Sequence, residues 1–244
     1  MVSIVIIGSG NVAQHLITAF LQSNEVELIQ VFSRQKEKVL HLLSSDKIVS
    51  DYSKIKQADV YLIAGPNGSG KTTVAKKILP NFLGVIDYVN ADEIAAGLSP
   101  FNPESVAIQA GRLMLERLIT LKCQGIDFAF ESTLAARHFA RFLRDCRSSG
   151  YRLNLIYFWL QSPELALERV HRRVASGGHN IPEDVVRRRY ERGRINLMQL
   201  YLPLCDTWVV YDNSGDEPHL VAALGFNQLP IIYNPDTFRI ITRN

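Results

Sequence analysis

The chain holds 244 residues, 47% of them hydrophobic and 21% charged, with a formal net charge of +3. This is the composition of a globular protein with material for a sizeable core, and so mild a charge gives no argument for a nucleic-acid partner. Three dispersed cysteines without a CxxC pair (Cys123, Cys146 and Cys205) set aside a zinc site and a disulfide framework, and no apolar run reaches the ~20 residues of a membrane span.

Val2–Ile7 is a continuous apolar run, the pattern of a buried parallel strand. It breaks at Gly8 and lacks the basic start and cleavage pattern of a secretory leader. Gly8-Ser9-Gly10-Asn11-Val12-Ala13 fits G-x-G-x-x-A. A helix follows, with Val12, Leu16, Ala19 and Phe20 on one face. Further expected elements are a strand over Val26–Phe32, a helix over Lys36–Leu43 and a short strand over Lys47–Val49. Strand, glycine turn, helix and strand open a dinucleotide-binding unit. Its fingerprint wants an acid after the second strand; Ser33-Arg34 stands there and favours a 2′-phosphate, hence NADP over NAD. These residues resemble the N-terminus of Rossmann-like NADP-binding oxidoreductases of the pyrroline-carboxylate and F420 reductase type. The unit is truncated and no substrate domain follows, so a structural role stands beside NADP binding.

The next strand, Ala58–Ala64, would continue that unit, yet it runs into Gly65-Pro66-Asn67-Gly68-Ser69-Gly70-Lys71-Thr72. This stretch fits the P-loop pattern G-x-x-x-x-G-K-[ST] in every fixed position. One strand thus serves two folds on this reading. Thr73-Val74-Ala75-Lys76-Lys77-Ile78-Leu79 reads as the following helix. Gly65, Gly68 and Gly70 free the backbone to turn several N–H groups toward one anion, and the helix adds its positive end. Lys71 would reach the β- and γ-phosphates of ATP or GTP, and the Thr72 hydroxyl would hold Mg²⁺.

Gly84–Val89 reads as a strand ending in Asn90-Ala91-Asp92-Glu93. Open α/β sheets carry their sites at the carboxyl ends of strands. Asp92 can there accept the proton of an attacking hydroxyl, or it can cap a helix over Glu93–Gly97. A long helix is expected over about Glu104–Lys122, with Val106, Ala110, Leu113, Leu115, Leu118 and Leu121 apolar. Phe128–Phe130 is a strand ending in Glu131-Ser132-Thr133. These can meet substrate or Mg²⁺, or cap the helix that runs to about Ser148.

Leu153–Leu160 is the next strand, and Ser162-Pro163 opens a helix as N-cap and first helical residue. Eight arginines fall between 169 and 194: Arg169, Arg172 and Arg173 before Gly177-Gly178, then Arg187, Arg188, Arg189, Arg192 and Arg194. Two Arg-rich helices about a glycine hinge read as a lid whose guanidinium forks meet phosphate oxygens. A solvated basic face is the alternative. No aromatic stacking pattern accompanies them, which weighs against nucleic acid. Trp208–Tyr211 is the last clear strand, and the tail reads as a closing helix with an extended arm.

From about Asp59 onward the chain resembles the zeta-toxin family of P-loop kinases. The matching stretches are the P-loop with its strand, Val89-Asn90-Ala91-Asp92-Glu93, Phe130-Glu131-Ser132-Thr133, Gly177-Gly178-His179-Asn180-Ile181-Pro182, Arg187-Arg188-Arg189-Tyr190 and Tyr211-Asp212-Asn213-Ser214. The resemblance implies an ATP- or GTP-dependent kinase whose acceptor is a hydroxyl of a small molecule; a cytoplasmic location is expected instead from the free cysteines, read as thiols in a reducing compartment, and from the lack of a leader or span pattern. The best-known toxins use UDP-N-acetylglucosamine, and an antitoxin protein is a possible partner. It implies Asp92 as catalytic base, Glu131 and Thr133 as substrate-binding residues, and Arg173 and Arg189 as phosphate clamps. Cofactor contacts fall to Gly65, Pro66, Asn67, Gly68, Ser69, Gly70, Lys71, Thr72 and Thr73. The chain departs from the family in the 58 residues before the P-loop strand and in Ser132, where Thr is frequent. The expected architecture is α/β: a P-loop kinase-type parallel sheet flanked by helices over 59–244, with a partial Rossmann βαβ unit over 1–58. The alternatives are an NADP-dependent oxidoreductase and a nucleotide-binding regulatory module without turnover.

Overall fold

In the computed structural model, which describes residues 2–24, 26–50 and 58–243, the first apolar runs pair as expected of buried parallel strands. β1 (Val2–Ile7), α1 (Asn11–Leu21), β2 (Val26–Phe32) and β3 (Ile48–Val49) form a sheet of order β1-β2-β3, parallel throughout. Its core gathers Ile6, Ile17, Leu28, Val31, Val39, Leu43 and Ile48. The buried stripe of α1 is Ala13, Ile17 and Phe20, a spacing of four and three residues along one helical face. Of the expected face of Val12, Leu16, Ala19 and Phe20, Phe20 packs on the core while the others are turned outward, Val12 75% exposed. The helix expected over Lys36–Leu43 is only a 3-10 turn at Lys36–Lys38. Val39 and Leu43 still reach the core from the turns that follow.

The remainder builds a seven-stranded sheet of order β10-β9-β8-β7-β4-β6-β5. In chain order its elements are β4 (Asp59–Ala64), α2 (Lys71–Ile78), β5 (Tyr88–Val89), α3 (Ala91–Leu98), α4 (Ala107–Gln124), β6 (Phe128–Ser132) and α5 (His138–Ser148). There follow β7 (Arg152–Trp159), α6 (Pro163–Ala175), α7 (Glu183–Asn196), β8 (Thr207–Asp212), β9 (His219–Leu224), β10 (Ile231–Ile232) and α8 (Pro235–Thr242). By contacts the chain divides into one unit of residues 1–58 with 122–126 and a second of 59–121 with 127–244. β4 is not shared between two folds. A strand has two hydrogen-bonding edges, and those of β4 are taken by β6 and β7.

β5, β6, β4, β7 and β8 are parallel, so their carboxyl ends share one side of the sheet. β4 lies mid-sheet and is buried on both faces, which is why it reads as an unbroken apolar run. Under α2 pack Ile63, Ala75, Leu79, Val85, Ala129 and Phe158. Phe130 meets Phe139 and Phe142 of α5 at ring distances of 5.2 and 6.1 Å. At the opposite end, Arg152 grips Asp59 through two bonds of 2.8 and 2.6 Å and ties the start of β7 to β4.

Several boundaries differ from the sequence expectation. The strand expected from Gly84 contracts to Tyr88–Val89. The long helix begins with a 3-10 turn at Pro103–Val106 and buries Ala110, Met114, Leu118 and Leu121. The tail contributes two antiparallel strands, β9 and β10, before α8. They cover the free edge of β8, with Val221 and Ala222 buried, as an open sheet edge requires. Among the described residues no helix is long and apolar enough to cross a membrane.

Candidate active site

The loop between β4 and α2 leaves its strand with Gly65 at φ +145°. A Cβ at Gly65 would stand 2.2 Å from the carbonyl oxygen of Phe158, so only glycine lets the loop lie flush against β7. From the end of β8, Asn213 donates to the Ser69 carbonyl at 2.9 Å and pins the loop from outside. Lys71 is buried, its ammonium donating to the Pro66 carbonyl at 2.8 Å. The Ser69 hydroxyl and the Asn67 amide oxygen are buried without a hydrogen-bond partner among the described residues. Thr73 lies exposed in the first turn of α2.

Glu131, next to last in β6, is the hub of the site. Its Oε2 accepts from the Thr72 hydroxyl at 2.8 Å, the Tyr88 phenol at 2.6 Å and the Asn90 amide at 3.0 Å. Its Oε1 lies 3.6 Å from the Lys71 ammonium. Burial first, and then the Glu131 charge, push the Tyr88 phenol well above the ordinary tyrosine range, so it remains a donor. The Thr72 hydrogen is directed at Glu131, and Oγ1 accepts a long bond of 3.5 Å from the Asn90 amide, which leaves one lone pair of the hydroxyl for a cation. Neither Tyr88 nor Asn90 has a role in the sequence reading. The signal was there: they stand two residues apart, Tyr88 in β5 and Asn90 just after it, and the parallel pairing of Val89 with Phe130 brings the end of β5 toward Glu131.

Asn90 also settles the position of Asp92. It is Asn90 that caps α3, its side-chain oxygen accepting from the Asp92 N–H at 2.8 Å. Asp92 falls in the first helical turn with its carboxylate uncommitted to the cap, 3.7 Å from His179 Nε2.

Beyond β6, Leu134 adopts φ +61° although it is fully buried. A branched residue in this conformation needs its surroundings to hold it. Ser132 Oγ accepts from the Leu134 N–H at 3.0 Å, Asn196 of α7 donates to the Leu134 carbonyl at 2.8 Å, and the Tyr201 hydroxyl donates to the Ala136 carbonyl at 2.6 Å. The loop that carries Thr133 is thus braced by α7.

The eight arginines separate. Arg172 pairs with Glu168, Arg187 with Glu164 and Arg188 with Asp184 on the exposed faces of α6 and α7. Arg169 donates to the carbonyls of Ser214 and Gly215, Arg194 reaches the carbonyls of Ile241 and Arg243, and Arg192 is exposed. Arg173 donates to the His179 carbonyl at 3.1 Å, and its Nε is buried without a partner among the described residues. Arg189 is half-buried and makes no hydrogen bond or ion pair among them. The α6–α7 pair has its own apolar cluster of Leu160, Ala166, Leu167, Val170, Ile181, Val186 and Tyr190.

A cleft of about 480 Å³ at the carboxyl ends of the strands brings together Lys71, Asp92, Glu131, Thr133 and Arg189. Asn67, Asn90, Arg112 and His138 share its wall, with Ile108, Met114, Leu115 and Phe139 on the apolar side. A smaller cavity of about 240 Å³ adjoins it, sharing Asp92 and Arg189 and adding Glu104 and His179. Among the described residues no three His, Cys, Asp or Glu side chains are grouped to hold a metal. A cation here would draw on Thr72, Glu131 and phosphate oxygens, the mixed donor set that suits Mg²⁺.

Comparison with known proteins gives the family and the fold. A family model described as Zeta toxin matches residues 44–218. An uncharacterized protein of Haemophilus influenzae is 33% identical over 136 residues, 56% of this chain and 95% of that protein. Among solved structures, a chain of the AvrRxo1-ORF1:-ORF2 complex with ATP is similar at a TM-score of 0.64 and 19% identity, over 78% of this chain and 65% of that one. This chain therefore spans just under two thirds of that relative. The PezAT chromosomal toxin-antitoxin system of Streptococcus pneumoniae is similar at a TM-score of 0.52 and 18% identity, over 77% of this chain and 78% of the other. At these identities the likeness to solved structures is one of fold.

Proposed function

The chain belongs to the zeta toxin family, and from that premise we propose that it is a P-loop kinase passing the γ-phosphoryl group of ATP or GTP to a hydroxyl of a small acceptor. A nucleotide sugar such as UDP-N-acetylglucosamine is the acceptor we favour. The observation that carries this reading is the single cleft in which Lys71 and Glu131 meet Asp92, Thr133 and Arg189. A pure nucleotide-binding module has no need of Asp92, a carboxylate held clear of its helix cap. Asp92 accepts the proton of the acceptor hydroxyl. Lys71 leaves its Pro66 carbonyl for the phosphates, Arg189 offsets their charge from the cleft wall, and Arg173 would join it from beside His179. Thr72 and Glu131 would hold Mg²⁺, which would supply neutralising charge for the phosphate oxygens. Glu131 thereby acts on the metal side of the cleft, and Thr133 on the acceptor side.

We assign residues 59–244 to the kinase and residues 1–58 to a partial Rossmann unit. The parallel order β1-β2-β3 and Gly10 as cap of α1 support the second assignment. NADP binding and an NADP-dependent oxidoreductase activity are its further reading. An antitoxin protein is the partner we expect, and the cytoplasm the place. The test is a thermal-shift titration of the full chain with Mg·ATP and, separately, NADPH, since a ligand of the folded state alone raises its apparent stability. A shift with Mg·ATP that disappears in Lys71→Ala, followed by phosphoryl transfer to nucleotide sugars that Asp92→Asn abolishes while nucleotide binding remains, is the expected result. A shift with NADPH alone overturns the kinase reading.

A further inference from the structure

His179 sits in the connection between α6 and α7, on the wall of the smaller cavity beside the cleft. Its Nε2 lies 3.3 Å from Arg173 Nη2 and 3.7 Å from Asp92 Oδ2. Arginine has only donors to offer. At hydrogen-bond distance from a guanidinium, Nε2 must therefore present its lone pair, and the ring proton resides on Nδ1. That state is the neutral imidazole, and it leaves the Asp92 carboxylate without a donor from this ring. The same arginine donates to the His179 carbonyl, and its stem lies over Gly178, where a Cβ would stand 2.6 Å from Arg173 Cγ. Nη2, the nitrogen that donates to the carbonyl, is also the one that meets the ring, so the ring is its second partner.

We propose that His179 is a positioning residue: as the neutral imidazole it holds Arg173 beside the base Asp92, and on taking up a proton it changes partner from Arg173 to Asp92. One added proton turns Nε2 from acceptor into donor. The bond to Arg173 becomes a contact between two cations, and the 3.7 Å approach to Asp92 becomes an ion pair. The base then carries a partner, and Arg173 Nη2 keeps the carbonyl but loses the ring as its second partner. The charged groups that face the ring are Asp92 of α3, Glu104 of the turn before α4, Arg173 of α6 and Arg189 of α7. Burial and the two arginines keep the ring below the ordinary histidine range, against the two carboxylates. Protonation therefore belongs to the acid side of neutrality. The adjoining cavity, walled by His179, Asp92, Glu104 and Arg189, gives the ring room to turn.

The partner change stands apart from the kinase reading; only its consequence for the rate rests on it. The test is an NMR titration of the His179 imidazole nitrogens in the full chain, alongside Arg173→Met and Asp92→Asn. We expect an Nδ1–H tautomer at neutral pH with a midpoint below about 6.5, moved up by Arg173→Met and down by Asp92→Asn. An Nε2–H tautomer, or a midpoint unmoved by both substitutions, overturns the proposal. In the phosphoryl-transfer assay, the acid limb of the rate should coincide with the His179 midpoint. In His179→Gln, which can accept from Arg173 but cannot titrate, the limb should fall to the carboxylate range near about 4. An unchanged limb in His179→Gln overturns the proposal. No transfer by the wild-type chain, with the titration as expected, overturns the kinase reading and upholds the partner change.

Discussion

Replacing Glu131 by glutamine separates the two roles open to this residue. The amide keeps the size of the carboxylate and one acceptor oxygen for Thr72, Tyr88 and Asn90, which lie within 2.6 to 3.0 Å. It removes the negative charge 3.6 Å from Lys71, an attraction with a ceiling of about 4–5 kcal/mol at an effective dielectric near 20. Both partners are buried and have been desolvated, so the net loss is smaller, about 1.5–3 kcal/mol, as for hydrogen bonds to charged groups. For ligands the signs divide. Without metal, a negative charge beside the phosphates has gone, so nucleotide binding in EDTA should tighten or hold. With Mg²⁺, the Thr72 hydroxyl has lost its charged orienting partner and the cation a carboxylate. Affinity for Mg·ADP should then fall ten- to a hundredfold, about 1.4–2.7 kcal/mol. Isothermal titration of ADP with excess Mg²⁺ and with EDTA reads both. Equal changes in the two conditions, or an unaltered preference for the magnesium complex, would refute a metal-side role and return Glu131 to acceptor binding alone.

Three further substitutions probe the frame around the cleft. Gly65→Ala forces a side chain against the Phe158 carbonyl at a φ of +145°; strain of about 1–2 kcal/mol and overpacking of about 1–3 kcal/mol should lower the urea midpoint and abolish nucleotide binding. Asn196→Ala removes the buried donor to the Leu134 carbonyl and should cost about 1–3 kcal/mol, with a larger rise in acceptor KM than in nucleotide KM; equal effects on both would show that the brace does not serve the Thr133 loop. Ser162→Ala takes away the cap bond to the Leu165 N–H, 3.1 Å long, and should cost about 1 kcal/mol in chemical denaturation while nucleotide affinity stays unchanged.

What was readable along the chain was local. The Gly65–Thr72 turn is specified by contiguous residues, because a strand, a glycine turn and a helix N-terminus are short-range structures. The Ser162 cap was likewise visible, since the bond it makes spans only three residues. The carboxyl-end positions of Asp92 and Glu131 followed from strand ends alone. Apolar spacing placed α1 but misjudged its buried face: Val12 and Leu16 fit a stripe as well as Ala13, Ile17 and Phe20 do, and only packing on the β1–β3 sheet chooses between them.

Tertiary structure decided what depends on residues far apart in the chain. Glu131 became the hub because β5 and β6 pair in the register that brings Tyr88 and Asn90 to a carboxylate 43 and 41 residues away. The pattern of eight arginines marked a basic region, but packing turned three toward surface carboxylates, left Arg189 on the wall of the cleft and set Arg173 against His179. The strand after residue 58 looked fit for either of two sheets, since buried parallel strands share one apolar signature. Pairing with β6 and β7 filled both its edges and assigned it to one. By itself, then, the sequence determined which chemistry the chain carries, because phosphate-binding turns and helix caps are written in adjacent residues. Which side chains share a carboxylate, a cap or a cavity was decided by the sheet order, because those contacts exist only after distant strands have found their partners.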